Sequence, residues 1–266
     1  MKAEKNKKLG FFHKLYRYRT LLLMLLPSAA LLFVFCYLPI GGLVMAFKRF
    51  NYRDGIFGSP WVGLDNFQFF FTSGKALSVT RNTALYNLAF ILVNTALEIL
   101  FAIILSEMAG KWLKKITQSV IFLPYFISWV IVGSIAYSLL SYESGTLNGV
   151  LRSLGMDPVN FYGESGWWPF IIVAFSAWKG VGYGVVVYLA SILGVDGALH
   201  EAAAIDGANI FQRIRYITLP GILPTVITMT LLALGKIFRG NLDLFYQLVG
   251  QNGALFDKTD VIDTYV

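Results

Sequence analysis

Charge is scarce in this sequence. Of its 266 residues, 14% are Asp, Glu, Lys or Arg, against about 25% in an average soluble domain. With 56% of the residues apolar and a mean hydropathy of +0.63, a soluble fold of this size could not hide its apolar surface, whereas a bilayer could. The composition excludes a soluble enzyme, a secreted disulfide scaffold and a disordered regulator. Cys36 is the one cysteine, which allows neither an internal disulfide nor a cysteine metal cluster. The two histidines, His13 and His200, lie far apart and argue against a multi-histidine metal site. His200-Glu201 begins like the zinc-protease string H-E-x-x-H, but the fifth position is Ala204, so that site is excluded. A phosphate-binding G-x-x-x-x-G-K-[ST] loop is missing too, which leaves no place for ATP hydrolysis by the P-loop route. No internal repeat or low-complexity tract is present.

What the chain does have is long apolar runs. A transmembrane helix needs about 20 mostly apolar residues, and five windows qualify. Thr20 to Phe47 carries no formal charge, Asn82 to Ser106 is interrupted only by Glu98, and Ile116 to Tyr142 is free of formal charge. Ser165 to Val195 is broken only by Lys179, and Tyr216 to Phe238 only by Lys236. The first run follows a basic segment as a signal peptide would, but it is about twice the usual 7 to 15 residues of a signal core, so it reads as a retained helix. Pro27, Pro124, Pro220 and Pro224 fall within or at the ends of spans, which membrane helices tolerate where neighbours satisfy the freed backbone groups.

The net charge of +7 does not point to nucleic acid, because seven of the 22 basic residues lie in the first 19 positions, as in a positive-inside anchor. With the N-terminus in the cytoplasm, segments 1–19, 107–116 and 194–217 hold twelve basic residues, and the longer outer segments 48–81, 142–166 and 239–266 hold eight. Lys48 and Arg49, at the outer end of the first span, depart from the rule. The expected organisation is a cytoplasmic segment 1–19 and a multi-pass membrane domain 20–266 containing a cytoplasmic loop at 194–220. Five spans leave the polar stretch from Asn241 outside, and a sixth helix is expected beyond Val266.

The loop at 194–220 carries the most specific pattern. It reads as a short alanine-rich helix, a turn at Gly207, and a second amphipathic helix with Ile210, Phe211, Ile214 and Ile217 on one side, after which Pro220 starts the next span. Alanines let backbones approach closely, so the arrangement suits docking into a groove on a partner; an interfacial elbow lying on the membrane is the alternative. The string Glu201-Ala202-Ala203, with Gly207 six residues after the glutamate and Ile217-x-Leu219-Pro220 ten residues beyond that glycine, resembles the EAA motif of binding-protein-dependent ABC importer permeases. The likeness extends over nearly the whole chain, through Gly63-Leu64-Asp65-Asn66-Phe67, Trp178-Lys179 and Asp260-Val261-Ile262-Asp263-Thr264-Tyr265. These features are most similar to the maltose-type sugar permeases, and within them to the subgroup for larger or acidic oligosaccharides such as alginate or pectin fragments.

The resemblance implies an all-α type I permease that pairs with a second, unlike permease subunit, two ATPase subunits and an extracytoplasmic solute-binding protein. ATP and Mg would sit on the ATPase, with no cofactor held by this chain. It implies ATPase coupling through Glu201, Ala202, Ala203, Asp206, Gly207, Arg213, Leu219 and Pro220. Glu201 would meet a basic group on the ATPase, and Gly207 would make the turn.

Three ionisable residues lie within the predicted spans: Glu98, Lys179 and Lys236. Each costs about 2.5 to 3.5 kcal/mol on insertion scales and is a functional candidate by default. Counted as helix, Lys179 lies about 21 Å above Leu193 and Lys236 about 27 Å above Thr218, with Arg239 on the face of Lys236 at i+3. In the family the sugar is held by the helices before and after the coupling loop. By resemblance that zone covers Ser176, Lys179, Gly180 and Tyr183, then Ala233, Lys236, Ile237 and Gly240. Two lysines there would suit a carboxylate-bearing sugar, with Tyr125 and Tyr183 as stacking or hydroxyl partners. The structural alternative pairs Lys179 with Glu98, pairs Lys236 across a subunit interface and lets Arg239 snorkel. Gly180-Val181-Gly182-Tyr183-Gly184 reads as close helix packing rather than a dinucleotide loop. Trp167, Trp168 and the run Phe69-Phe70-Phe71 read as interfacial aromatics. A secondary transporter coupled to ions through Glu98 and Lys179 is the rival function; a membrane-embedded enzyme would need a catalytic cluster that the sequence does not offer.

Overall fold

A computed structural model describes residues 16–265; of the expected cytoplasmic segment 1–19, everything before Tyr16 lies outside the described residues, as does Val266. The described chain is helical, with a lone antiparallel bridge between Lys48 and Trp61. It divides after Gly74 into two units.

In the first unit, helix α1 (Arg19–Leu32) continues through a π turn at Phe33–Tyr37 and a 3-10 segment at Leu38–Phe47. Together these make a 29-residue element, Arg19–Phe47, matching the first predicted span. Pro39 enters at the start of the 3-10 segment, where its missing N–H removes an α-helical hydrogen bond and favours the change of winding. The loop that follows explains the misplaced cation. Lys48 is buried; its Nζ donates to the carbonyls of Ile56 at 3.0 Å and Phe57 at 2.8 Å and lies 5.2 Å from the centre of the Trp61 ring. It holds a loop rather than reporting topology. Asn66, at the start of helix α2 (Asp65–Thr72), donates to the carbonyls of Ala46 and Lys48 at 2.9 Å each.

The second unit is built on two long helices, α3 (Lys75–Glu107) and α7 (Trp168–Leu193). Helix α3 begins seven residues before the predicted window, because a charge-free window stops at Arg81 while the helix does not. Where α7 meets its neighbours it carries small residues. A Cβ at Gly182 would collide with the carbonyl of Ile121, and one at Gly184 with the carboxyl group of Glu98. The glycine run is thus a packing surface. A core of Ala102, Leu105, Ala177, Val181, Val185, Leu189, Ile192 and Ile222 fills this half of the bundle.

The third predicted span, 116–142, is not a straight helix. Helix α4 (Lys111–Phe122) passes into a 3-10 turn at Leu123–Phe126, and α5 (Trp129–Leu140) leaves it at 98°. Pro124 withdraws a donor, Ile127 is extended, and Ser128 starts the new helix by accepting from the N–H of Ile131 at 3.4 Å. Helix α6 (Thr146–Ser153) follows.

The fifth span also differs from expectation. The second loop helix and the span are one helix, α9 (Ile210–Leu234), of 25 residues. A π turn at Ile214–Thr218 lies inside it, immediately before Pro220, so the ring is accommodated by widening the helix rather than by breaking it. Helix α9 stops at Leu234, which leaves Lys236 in a turn and invalidates its helical height count.

The stretch after Asn241 is a folded cap rather than a polar tail. Helix α10 (Leu242–Val249) buries Leu244, Phe245, Leu248 and Val249 against Val132, Ala136 and Leu140 of α5, with Tyr86, Trp168, Leu255 and Val261 completing the cluster. Trp168, read as interfacial, is fully buried here and donates through Nε1 to the carbonyl of Phe161 at 2.7 Å. Trp167 is exposed.

Candidate functional site: a surface loop and two polar clusters

The loop before α9 is shaped by local hydrogen bonds. Helix α8 (Gly197–Ile205) is capped by Asp196, whose Oδ1 accepts from the N–H of Ala198 at 3.0 Å. At its other end Gly207 takes φ +78°. The N–H of Gly207 reaches the carbonyl of Ala204 at 3.1 Å and that of Ala208 reaches Ala203 at 2.9 Å, a Schellman ending that calls for glycine. Asn209 and Gln212 then form a reciprocal capping box at the start of α9, with bonds of 2.7 and 2.9 Å. The turn needs no partner to hold its form.

What the loop presents outward is apolar and acidic. Glu201, Ala202, Asp206, Gly207, Leu219 and Pro220 are exposed and Ala203 is half-buried. Ile205 and Phe211 are 87% and 80% exposed. The expected apolar side of the second helix is split: Ile214 and Ile217 are half-buried while Phe211 faces outward, because Phe211 sits about 100° around the helix from Ile210 at 3.6 residues per turn. Arg213 turns inward and lies 3.8 Å from Glu107, the last residue of α3. Its Nε is buried without a hydrogen bond.

Deeper in the bundle, Lys179 on α7 donates to the carbonyl of Tyr125 at 2.8 Å. Its ammonium lies 5.6 Å from the centre of the Tyr125 ring and 5.3 Å from that of Trp129. The bend between α4 and α5 is what brings this carbonyl and Trp129 to the lysine. Tyr125 stacks on Tyr183 with centroids 5.4 Å apart and planes inclined by 21°, and on Phe122 at 5.5 Å and 11°. The structure therefore gathers Tyr125, Lys179 and Tyr183, and adds Trp129, which the sequence reading missed because nothing local marks a bend-following tryptophan. Ser176 and Gly180 are half-buried on the same helix. Lys179 and Glu98 do not pair, contrary to the structural alternative: the glutamate is wedged against Gly184, five residues further along α7.

Lys236 and Arg239 belong to a second cluster. Both are exposed and line a cavity of about 630 Å³ with Asn87, Asp243 and Asp263. Asn87 donates to the carbonyl of Arg239 at 3.3 Å, and Asp263 accepts from the N–H of Gly240. Gly240 is thereby placed in this second cluster; Ala233 and Ile237 are half-buried and do not line its cavity. The two lysines expected to share one zone thus have separate surroundings.

Residues 98–255 match the family described as "Binding-protein-dependent transport system inner membrane component". The Bacillus subtilis (strain 168) protein LplB is 32% identical over 98% of this chain and 81% of its own length. From the same organism, the polygalacturonan/rhamnogalacturonan transport system permease protein YteP is 32% identical over 100% of this chain and 81% of its own. Among solved structures, a chain of a bacterial ABC transporter involved in the import of the acidic polysaccharide alginate superposes with a TM-score of 0.84 at 33% identity, covering 96% of this chain and 85% of that one. A second structure, of the alginate transporter in complex with an alginate pentasaccharide-bound periplasmic protein, gives 0.83 at 32% identity over 96% and 84%.

An all-α membrane bundle with this loop is the transmembrane part of an ABC importer. The chain belongs to the binding-protein-dependent transport system inner membrane component family. It is a permease, not an enzyme, and the ion-coupled alternative is not favoured.

Proposed function

We propose that this chain imports oligosaccharides, uronate-bearing ones among them, by alternating access, as one half of an unlike permease pair. Its N-terminus lies in the cytoplasm. Two separate ATPase subunits bind ATP and Mg and dock on the loop of 194–220, and a solute-binding protein delivers substrate on the opposite side. The observation that carries the reading is the likeness in fold and sequence to the alginate importer chain over 96% of the length; YteP, named for a polygalacturonan and rhamnogalacturonan, supports the same substrate chemistry.

The loop is suited to the role. Ile205 and Phe211 are exposed on the same loop as exposed Glu201 and Asp206, a mixed apolar and acidic surface that a basic cleft would complement. Because α8 ends in a self-supporting turn and α9 runs on unbroken to Leu234, displacement of the loop moves a long helix as a lever. Lys179, held between Tyr125 and Trp129, offers a cation framed by rings to a sugar carboxylate, and Lys236 with Arg239 offers a second positive pair.

The test is transport in proteoliposomes holding the complete transporter and its solute-binding protein. Uptake of uronate oligosaccharides in preference to neutral ones, with ATPase stimulation lost in Glu201→Ala, is the expected result. Stimulation by neutral oligosaccharides alone would overturn the acidic-substrate reading, and an unchanged Glu201→Ala would overturn the coupling role.

A further inference from the structure

At the end of the second unit furthest from the 194–220 loop, an open cleft of about 470 Å³ runs between α3 and α7. Its two walls are helix faces. Arg81, Leu85 and Ala89 follow one another at i, i+4 and i+8 on α3, opposite Pro169 and Val173 at i and i+4 on α7. Such spacing puts each set in one row along its helix. The cleft is therefore cationic at its mouth and apolar along its length, and Leu85 is 56% exposed.

The second cation at the mouth is placed by long-range bonds. Tyr86 Oη donates to the carbonyl of Lys258 at 2.8 Å. Asn82 Nδ2 donates to the carbonyls of Asp257 and Asp260 at 3.3 and 3.1 Å. Buried Asn82 and Tyr86 thus pin residues 257–260 over the end of the cleft, so that Lys258 joins Arg81 at its head. Lys258 also lies 3.6 Å from Asp257 in an exposed pair, a weak contact that a better anion can displace.

Depth fixes what meets this arrangement. Glu107 marks the loop end of α3 through its pair with Arg213, and Arg81 lies about 39 Å from it along the helix. The hydrocarbon core of a bilayer is about 30 Å thick and its headgroup regions bring the total to about 40–45 Å. Arg81 and Lys258 therefore stand at headgroup level, while Leu85 and Ala89 lie about 6 and 12 Å deeper, in the acyl region.

We propose that this cleft binds an anionic phospholipid of the leaflet opposite the 194–220 loop, with its phosphate between Arg81 and Lys258 and an acyl chain along Leu85, Ala89, Pro169 and Val173. Charge complementarity at one end and apolar continuity with the bilayer at the other select a two-part ligand; a soluble anion would leave the apolar walls unused.

The complete transporter in nanodiscs of equal phosphatidylglycerol and phosphatidylcholine, followed by native mass spectrometry of the lipids retained, tests this. Wild type should keep phosphatidylglycerol preferentially. Removing both charges in Arg81→Gln, Lys258→Gln should lower that preference about twenty-five-fold, near fivefold per cation at the membrane surface, with partner subunits still co-purifying. Leu85→Gln, which keeps both cations, should weaken retention of either lipid. Equal retention of the two lipids by wild type, or an unchanged preference in the double variant, would overturn the proposal. So would displacement of the lipid by millimolar glycerol phosphate, which would mark a site for phosphate alone. Efficient cross-linking of Leu85→Cys to the second permease subunit would assign the cleft to a protein contact instead.

Discussion

The two ends of the helical unit that starts at Lys75 are held together in opposite ways. At the end carrying the 194–220 loop, the bonds are local: Asp196, Gly207, Asn209 and Gln212 each act within three residues or so, and Ile205 and Phe211 are left outside. At the other end, Asn82, Thr83 and Tyr86 of α3 reach residues more than 170 positions away, and Leu244, Phe245, Leu248, Leu255 and Val261 are buried almost completely. One end takes its turns from residues close in sequence, with the partly exposed Arg213–Glu107 pair as its tie to α3, and leaves apolar side chains exposed. The other exists only because the bundle beneath it exists, as a fixed cap does. The contrast teaches that one chain can build one end from neighbours in sequence and the other from residues far apart in it.

Four substitutions sharpen or break that contrast. Phe245→Ala empties a site in the cap and should cost about 3–5 kcal/mol, read as a lower melting temperature of the purified transporter. The number of sugars moved per ATP should stay the same in the molecules that remain folded; a changed ratio would mean that the cap takes part in coupling. Glu201→Ala should do the reverse, leaving the melt untouched while weakening ATPase docking by about 2 kcal/mol, the scale of an interface hot spot, or roughly thirtyfold in an affinity titration. Gly207→Ala forces a side chain into φ +78° and should cost about 1–2 kcal/mol. Because the turn is local, the cost should show as faster hydrogen exchange over 197–209 and not as global loss of stability. Glu107→Gln removes the partly exposed pair with Arg213 and should change stability by less than about 1 kcal/mol; a larger loss in the melt would show that the loop end is tied to α3 more firmly than its local bonds imply.

Legibility in the sequence followed the range of the interactions. All five apolar runs were visible because length and scarcity of charge are enough to mark a candidate bilayer-crossing segment, and four of them are single long helical elements in the structure. The loop was visible because its turn is made by residues adjacent in sequence, and a positive φ at Gly207 leaves a mark that a motif can carry. The packing role of Gly182 and Gly184 was legible for the same reason, since small residues in an apolar helix have few other uses. Pro124 was seen but not its consequence: a proline within a membrane helix permits a bend without fixing one, and here Ser128 restarted the helix at 98°.

The candidate substrate path was only half legible. Tyr125, Lys179 and Tyr183 do meet and Trp129 joins them, while the alternative pair of Lys179 with Glu98 does not form. Lys236, counted along a helix that ends two residues before it, belongs with Arg239, Asn87, Asp243 and Asp263. Lys48, an exception to the positive-inside pattern in the sequence, is a structural lysine whose ammonium donates to two carbonyls.

The sequence by itself determined the class of molecule, the number and rough position of its apolar crossings, and the form of the 194–220 loop, because each depends on composition or on neighbours a few residues apart. Only the tertiary structure decided which polar groups share a cluster, where the third crossing bends, and that the residues after Asn241 fold into a cap. These depend on contacts between segments far apart in the chain, where a side chain's partner is set by how helices pack and not by what stands beside it in sequence.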